Sequence, residues 1–132
     1  MSVKNYIDNK VIGGVLIKSL KTNKVFLVYR NDKTPIWSLV SGTINKGESV
    51  LDGLKREINE ELSINPDIIT FKFNKIEIFL DKKHEFHYYE GFVDNEFNPI
   101  LDEENITSTW ITLDSVPSPL FSGLLEKIKI IL

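Results

Sequence analysis

The 132-residue chain is long enough for one domain with a buried core, and we expect residues 1–132 to form a single domain. Its net charge of −3 argues against stable binding of a nucleic-acid backbone, but a small anionic ligand neutralised by metal ions remains possible. The lack of cysteine excludes disulfides and thiolate metal sites. Because residues 1–10 lack the apolar core of a signal peptide and no apolar run approaches membrane length, we expect a cytoplasmic protein without membrane contact.

Apolar runs in the first forty residues predict three strands. Lys10–Lys18 and Asn23–Arg30 are rich in Val, Ile and Leu, and residues 20–23 between them are typical of a hairpin turn. After a polar loop at 31–35, Trp37–Val40 predicts a short third strand that leads into the next element.

The segment 49–62 predicts an amphipathic helix. Ser49 can cap it, with Asp52 three residues on. At about 100° per residue, four apolar side chains share one face: Leu51, Leu54, Ile58 and Leu62. Three carboxylates share the adjoining face: Glu57, Glu60 and Glu61. Such a strip is either a solvated acidic surface or a site where a hard divalent cation relieves the repulsion.

Two ways of ending this helix are open. Ser63 can adopt the left-handed conformation at a cost of about 1 kcal/mol, or Asn65, which tolerates that conformation better, closes the helix later. We favour closure at Asn65, with Pro66 preventing any further helical turn.

The second half of the chain predicts three strands and a helix. Ile68–Leu80 alternates apolar and polar residues as a half-buried strand does, 81–83 turns, and Glu85–Val93 returns. Thr109–Leu113 predicts a last short strand and Leu120–Ile131 a C-terminal helix. The apolar stripe of that helix comprises Leu124, Leu125, Ile128 and Ile131.

Residues 42–64, GTINKGESVLDGLKREINEELSI, resemble the Nudix box, G-x5-E-x7-R-E-U-x-E-E-x-G-U with U aliphatic. The matching positions are Gly42, Glu48, Arg56, Glu57, Ile58, Glu60, Glu61 and Ile64. Ser63 stands where the box has its second glycine. Upstream, many members read W-x-x-P-G-G, whereas 37–42 here reads WSLVSG, which indicates a different loop geometry before the helix.

This resemblance implies an α/β fold, an α/β/α sandwich with a mixed sheet, the box helix on one side and a C-terminal helix. It also implies a metal-dependent hydrolase of a pyrophosphate bond in a nucleoside diphosphate-linked small molecule. Nucleoside triphosphates, ADP-ribose, nucleotide sugars and dinucleoside polyphosphates are the candidate substrates. Alternatives are a Nudix-like module that senses a nucleotide without turnover, and an acidic interaction domain with an accidental match. We expect a small-molecule nucleotide as partner and a monomer or homodimer.

The resemblance further implies roles for residues of the box. Mg²⁺ or Mn²⁺ would be held by Glu57 and Glu61, with the carbonyl oxygen of Gly42 joining the metal shell. Glu60 would share a second metal or take the proton from water. Arg56 would pair with the carboxylate of position 48 and hold the loop against the helix, away from the metal strip.

The general base varies within the family and can lie outside the box. Glu85, Glu90, Glu103 and Glu104 are the outside candidates, and we favour Glu104. His84 and His87 fall on opposite faces of a strand, where His87 would line a pocket or pack rather than bind metal. Aromatic side chains that could stack a base are Tyr6, Trp37, Phe79 and Tyr88. Residues 79–82 carry neither the proline of ADP-ribose hydrolases nor the tyrosine of dinucleoside polyphosphate hydrolases.

Overall fold

The structure is a computed structural model that describes residues 10–79 and 83–132. Its strands are β1 (Lys10–Ser19), β2 (Val25–Arg30), β3 (Ile36–Ser38), β4 (Val40–Thr43), β5 (Thr70–Phe79), β6 (His84–Val93) and β7 (Asn105–Ile111). Its helices are α1 (Val50–Leu62) and α2 (Leu124–Ile131). Residues 1–9 and most of the turn predicted at 81–83 lie outside the described residues. Within the described ranges, no helix is long and apolar enough to cross a membrane.

The strands form one mixed sheet. Its main path runs β3-β2-β1-β6-β5, with β4 pairing with β1 and β7 pairing with β2. β1 runs parallel to β6, from Lys10 opposite His84 to Ser19 opposite Val93, and the other pairs are antiparallel. β1 is the central strand, with its first half beside β4 and its end beside β2. The sheet therefore opens between β2 and β4, where the cleft described below lies.

The two helices cover opposite faces of this sheet. Along β1, Val15 and Ile17 belong to the buried cluster that contains Leu54 of α1. Leu16, between them in sequence, belongs to the cluster that contains Ile128 of α2. This alternation is the period-2 pattern of a strand buried on both faces. The predicted α/β/α sandwich with a mixed sheet is confirmed.

The segment predicted as a single strand, Trp37–Val40, is two strands. β3 pairs with β2, whereas β4 pairs with β1. The chain changes neighbours at the buried Leu39, so one continuous ladder is impossible. The prediction was wrong because both halves have the same apolar composition, and only the tertiary pairing separates them.

Both elements predicted at the C-terminus have different boundaries. β7 begins at Asn105 instead of 109, because it pairs along the whole of β2. α2 begins at Leu124 instead of Leu120, with Gly123 at φ 82° before it. Leu120 instead forms a β-bridge with Trp37. Backbone pairing with β3 therefore takes the residues that the apolar pattern assigned to the helix.

The apolar patterns of three elements overestimated burial. β5 lies at the edge of the sheet, so Phe73 and Ile78 are half exposed or more. Leu125 of α2 is 37% exposed, and Leu51 of α1 is only half-buried. Periodicity identified the inward direction of each element, but it could not show how far the neighbouring layer extends.

Helix α1 closes at Ser63, so the preference for Asn65 was wrong. Ser63 has φ 54° and ψ 39°, and its N–H donates to the Asn59 carbonyl. Asn65 instead accepts the Asp67 N–H with its side chain and caps a 3₁₀ turn at Pro66–Ile68. Loop residues 100 and 102 donate hydrogen bonds to the last helical carbonyls, as described below, so these carbonyls are not available to a further helical turn.

Replacing Ser63 by glycine should stabilise the protein. Glycine adopts φ 54° without the Cβ clash, while its unfolded state is more flexible, so we expect a net gain of about 0.5–1 kcal/mol. Thermal unfolding should show a Tm increase of about 2–4 °C for Ser63→Gly. Ser122→Gly is the control. Ser122 is exposed and its φ is not positive, so this substitution should lower Tm slightly. A Ser63→Gly Tm at or below wild type would contradict the account.

Candidate functional site

Helix α1 lies against β4 at a position that requires glycine. A Cβ atom on Gly42 would overlap the side chain of Glu57. Gly53, one turn before Glu57, is buried, and a Cβ there would come within 2.7 Å of Glu48 Oε1. The two glycines therefore allow the acidic side of the helix to pack closely against the sheet and the loop before it.

Three carboxylates meet at the end of this packed surface. Oxygen atoms of Glu57, Glu61 and Glu104 all lie within 4.8 Å of one another. Glu61 is buried, Glu57 is half-buried and Glu104 is exposed at the end of the loop before β7. Glu60, predicted on the same strip, is outside this cluster and exposed. Of the four outside candidates for the base, only Glu104 reaches the cluster.

Arg56 connects the box loop, residues 44–49 between β4 and α1, to the acidic strip formed by Glu57, Glu60 and Glu61. Its Nε donates to Glu48 Oε2 at 3.2 Å, and its Nη2 donates to Glu48 Oε1 at 2.7 Å and to the Thr43 carbonyl at 3.1 Å. Its Nη1 donates to Glu57 Oε1 at 3.0 Å and to Glu60 Oε2 at 3.1 Å. The fork to Glu48 has the expected form, but the prediction that Arg56 lies away from the metal strip was wrong, because its second terminal nitrogen reaches Glu57 and Glu60.

Glu48 is the acceptor that holds the box loop. Besides the fork from Arg56, its Oε1 accepts the Asn45 N–H at 2.7 Å. The hydrogen bonds from Arg56 and Asn45 lower the pKa of Glu48, so the side chain is ionised at neutral pH. The loop is therefore fixed by charge-assisted bonds at both ends.

Glu61 is the buried member of the cluster. Its Oε1 accepts the Asn105 Nδ2 hydrogen bond at 3.0 Å, whereas its Oε2 is buried without a partner. Burial raises the pKa of Glu61 to about 8; the Asn105 bond opposes this shift, and the contact with Glu57 adds to it. A buried carboxylate oxygen without a partner is costly, and a cation beside it would remove that cost.

The loop that carries Glu104 is bonded to the end of α1. The Ile100 N–H donates to the Leu62 carbonyl at 2.9 Å, and the Asp102 N–H donates to the Glu61 carbonyl at 3.0 Å. These carbonyls belong to the last helical turn, where C=O groups have no hydrogen-bond partner within the helix. The Glu104 carbonyl accepts the Asn31 N–H at 2.8 Å, so the loop is also tied to the residue after β2.

The cluster opens into a cleft of about 240 Å³. It is lined by Ile12, Arg30, Ser41, Gly42, Thr43, Glu57 and Glu104. Arg30, the last residue of β2, donates to Ser41 Oγ at 3.5 Å and brings a cation beside the carboxylates. Sequence reasoning missed Arg30 and Asn105, although an arginine that ends an apolar strand is a recognisable signal.

The remaining candidates lie elsewhere. His87 contacts Glu85 at 2.6 Å between the two side chains, and neither belongs to the acidic cluster. Trp37, Phe79 and Tyr88 belong to or pack against the core beneath α2, and Tyr6 is outside the described residues. A role of these aromatics in base stacking therefore stays a prediction.

The donor set fits a hard divalent cation. Three carboxylates converge, and one of them presents a buried oxygen without a protein partner. Mg²⁺ and Mn²⁺ prefer such oxygen ligands, and the chain offers no thiolate as a competing ligand. The fold and the site define an α/β/α sandwich protein with an acidic centre of three carboxylates that could hold a metal ion, beside an arginine.

Comparison with known families identifies the family of this chain. The model of the NUDIX domain matches residues 10–130, and the chain belongs to this family. The resemblance noted in the sequence is therefore confirmed.

Individual relatives are more distant. RNA pyrophosphohydrolase of Campylobacter jejuni strain 81-176 is 43% identical over 60 residues, which are 45% of this chain and 38% of that protein's length. 8-Oxo-dGTP diphosphatase of Buchnera aphidicola is 25% identical over 117 residues, covering 83% of this chain and 85% of that protein. Dihydroneopterin triphosphate pyrophosphohydrolase of E. coli aligns with a TM-score of 0.71 at 19% identity, covering 91% of this chain and 93% of that one. This last structural similarity, at 19% identity, shows that the two proteins share a fold.

Arg56 should be essential for the site, and lysine should not replace it. A single ammonium group cannot span Glu48 and Glu57 together, so the loop and one carboxylate would lose their common donor. We expect Arg56→Ala and Arg56→Lys to lower kcat/KM by about 10–100-fold, the range for partners that orient metal ligands. Hydrogen exchange of residues 43–48 should rise in both variants.

The control for Arg56 is its neighbour Lys55, whose Nζ lies 5.9 Å from the Phe71 ring centroid. Lys55→Ala should leave both measurements near wild type. Wild-type turnover and unchanged exchange in Arg56→Lys would show that the fork is dispensable.

The metal-free protein should lose stability as pH rises, because of Glu61. The folded chain retains a proton on Glu61 up to about pH 8, whereas the unfolded chain releases it near 4.5. The folded state thus binds more protons in this window, so the free energy of unfolding decreases as pH increases. With EDTA present, the decrease in Tm from pH 5 to pH 8 should be at least about 5 °C larger for wild type than for Glu61→Gln.

Glu96→Gln, at an exposed loop position, is the control and should follow wild type. Adding Mg²⁺ or Mn²⁺ at pH 8 should restore wild-type Tm by mass action, with about 2.7 kcal/mol expected at a hundredfold excess over Kd. Parallel pH curves for wild type and Glu61→Gln would contradict the assignment.

Proposed function

We propose that the protein is a Nudix pyrophosphohydrolase that uses Mg²⁺ or Mn²⁺ to cleave a pyrophosphate bond in a nucleoside diphosphate-linked small molecule. The observation that carries this proposal is the convergence of Glu57, Glu61 and Glu104, of which Glu61 has a buried oxygen without a hydrogen-bond partner. An acidic interaction surface would place its carboxylates in solvent. Here the chain buries one of them, at a cost that binding a cation would offset.

Glu57 and Glu61 would hold the metal, and the Gly42 carbonyl stays a candidate for a further ligand. When bound, such an ion neutralises phosphoryl oxygens and lowers the pKa of water. Arg56 would keep Glu57 in place through the 3.0 Å contact. Arg30 would orient a phosphate in the cleft, since a guanidinium fork matches phosphate oxygens.

Glu104 would accept the proton of the attacking water. Its side chain is accessible at the mouth of the cleft, and partial burial of the carboxyl group, together with the neighbouring Asp102 and Glu57, raises the pKa of Glu104, which suits a base. The water oxygen would form a bond to phosphorus, and the bridging oxygen would leave with the other phosphate. Glu60, held by Arg56, stays a candidate for a second metal or for an alternative base.

Nucleoside triphosphates are the substrates we place first. The Buchnera relative, an 8-oxo-dGTP diphosphatase by name, covers most of this chain. The Campylobacter relatives are RNA pyrophosphohydrolases by name, but the chain spans only 38% of their length, which supports an RNA substrate less. A cytoplasmic, single-domain protein that is monomeric or homodimeric belongs to the same proposal.

A substrate panel tests this function against the sensor alternative. Nucleoside triphosphates, 8-oxo-dGTP, ADP-ribose, nucleotide sugars, dinucleoside polyphosphates and a 5′-triphosphate RNA would be incubated with Mg²⁺ or Mn²⁺. Products resolved by chromatography should show metal-dependent cleavage of at least one of them. Saturable nucleotide binding without products would favour the sensor.

Carboxylate variants then assign the roles. Glu61→Gln and Glu104→Gln should each lower kcat by about 10²–10⁴-fold, since one removes a ligand and the other a base. Glu103→Gln, an exposed neighbour outside the cluster, is the matched control and should keep wild-type turnover. Near-wild-type hydrolysis by Glu61→Gln would remove Glu61 from the site.

A further inference from the structure

Asn105 is the protein donor to the buried carboxylate of Glu61 among the described residues. It is the first residue of β7 and directly follows Glu104, the last residue of the loop before that strand. Glu104 faces the cleft, whereas Asn105 is 5% exposed and lies beneath the cluster. Two consecutive residues thus supply the Glu104 carboxyl group to the cleft and the Asn105 amide donor behind it.

The orientation of the Asn105 amide is determined by its neighbours. Its Nδ2 faces two carboxylates, Glu61 Oε1 at 3.0 Å and Asp102 Oδ1 at 3.5 Å. Both accept hydrogen bonds once Glu61 is ionised to bind a cation, so the amide nitrogen must point towards them, and a flipped amide would place oxygen against oxygen. Its own Oδ1 is buried without a partner, a cost that the donor position imposes.

The backbone around Asn105 is also fixed. Its main chain pairs with Arg30 of β2, and the loop before it bonds to the last carbonyls of α1. The donor is therefore held in a constant position relative to the helix that carries Glu61. Because Oε1 of Glu61 is occupied by this bond, Oε2 is the oxygen left without a protein partner.

We infer that Asn105 is a positioning residue for the metal centre, which fixes the rotamer of Glu61 so that one defined oxygen is available to the cation. This inference rests on the proposed function, because it needs a metal site at Glu61. It goes beyond that function by assigning a role to a residue outside the box and outside the acidic cluster. Partners of this kind typically change metal affinity by about 10–100-fold.

A double-mutant cycle on metal affinity tests the inference without any substrate. Mn²⁺ binding would be measured by electron paramagnetic resonance of the free ion in wild type, Asn105→Leu, Glu61→Gln and the double variant. Asn105→Leu keeps a similar side-chain volume without the donor and should weaken binding by about 10–100-fold. If Asn105 acts through Glu61, the same substitution in the Glu61→Gln background should change affinity by about twofold or less, the usual limit of additivity.

Ile111→Ala provides the structural control, since it lies at the other end of β7 in the core beneath α2. It should lower Tm while leaving Mn²⁺ affinity unchanged at temperatures well below unfolding. An affinity of Asn105→Leu within about twofold of wild type would overturn the inference, and so would an equal loss in both backgrounds. Wild-type protein without Mn²⁺ affinity would overturn the metal-dependent function as well, so the two failures are distinguishable.

Discussion

The unfavourable burial of one carboxylate sets the requirements for the rest of the site. Glu61 of α1 is buried against β7. One of its oxygens accepts a hydrogen bond, whereas the other has no partner. Oxygen atoms of two further carboxylates lie within 4.8 Å. A folded chain tolerates such repulsion only if surrounding contacts prevent the side chains from moving apart. Asn105, the loop before it and Arg56 provide those contacts, and each joins a different element to the helix.

Arg56 has two functions that a simple surface ion pair lacks. Its fork ties the box loop to the helix through Glu48, and its remaining nitrogen contacts Glu57. The single cation therefore partly neutralises the strip while ordering the loop between β4 and α1. Arg30, which lines the cleft and pairs with Asp32 at 3.7 Å, is a separate positive charge.

Local patterns and the box resemblance predicted most of the fold and the three carboxylates of the candidate site. The 3.6-residue period located α1, and the box spacing identified Glu57 and Glu61, because residues one turn apart share a helix face. Asn105 and Arg30 escaped prediction, since their roles depend on strand pairing between β2 and β7 that no local period encodes. The closure at Ser63 was missed for a similar reason: contacts from the distant loop outweigh the intrinsic conformational preference.

The bonds between the 100–105 loop and the end of α1 have a consequence for folding kinetics. Glu61 and Asn105 are 44 positions apart, and β5 and β6 form between them. Closing so long a segment is entropically costly, so contacts of this span form late. A nascent or isolated box segment would carry Glu57 and Glu61 without the third carboxylate, Glu104, and without the donor, Asn105. Metal affinity should therefore appear only with the completed sheet, which would make ion binding a reporter of the final folding step.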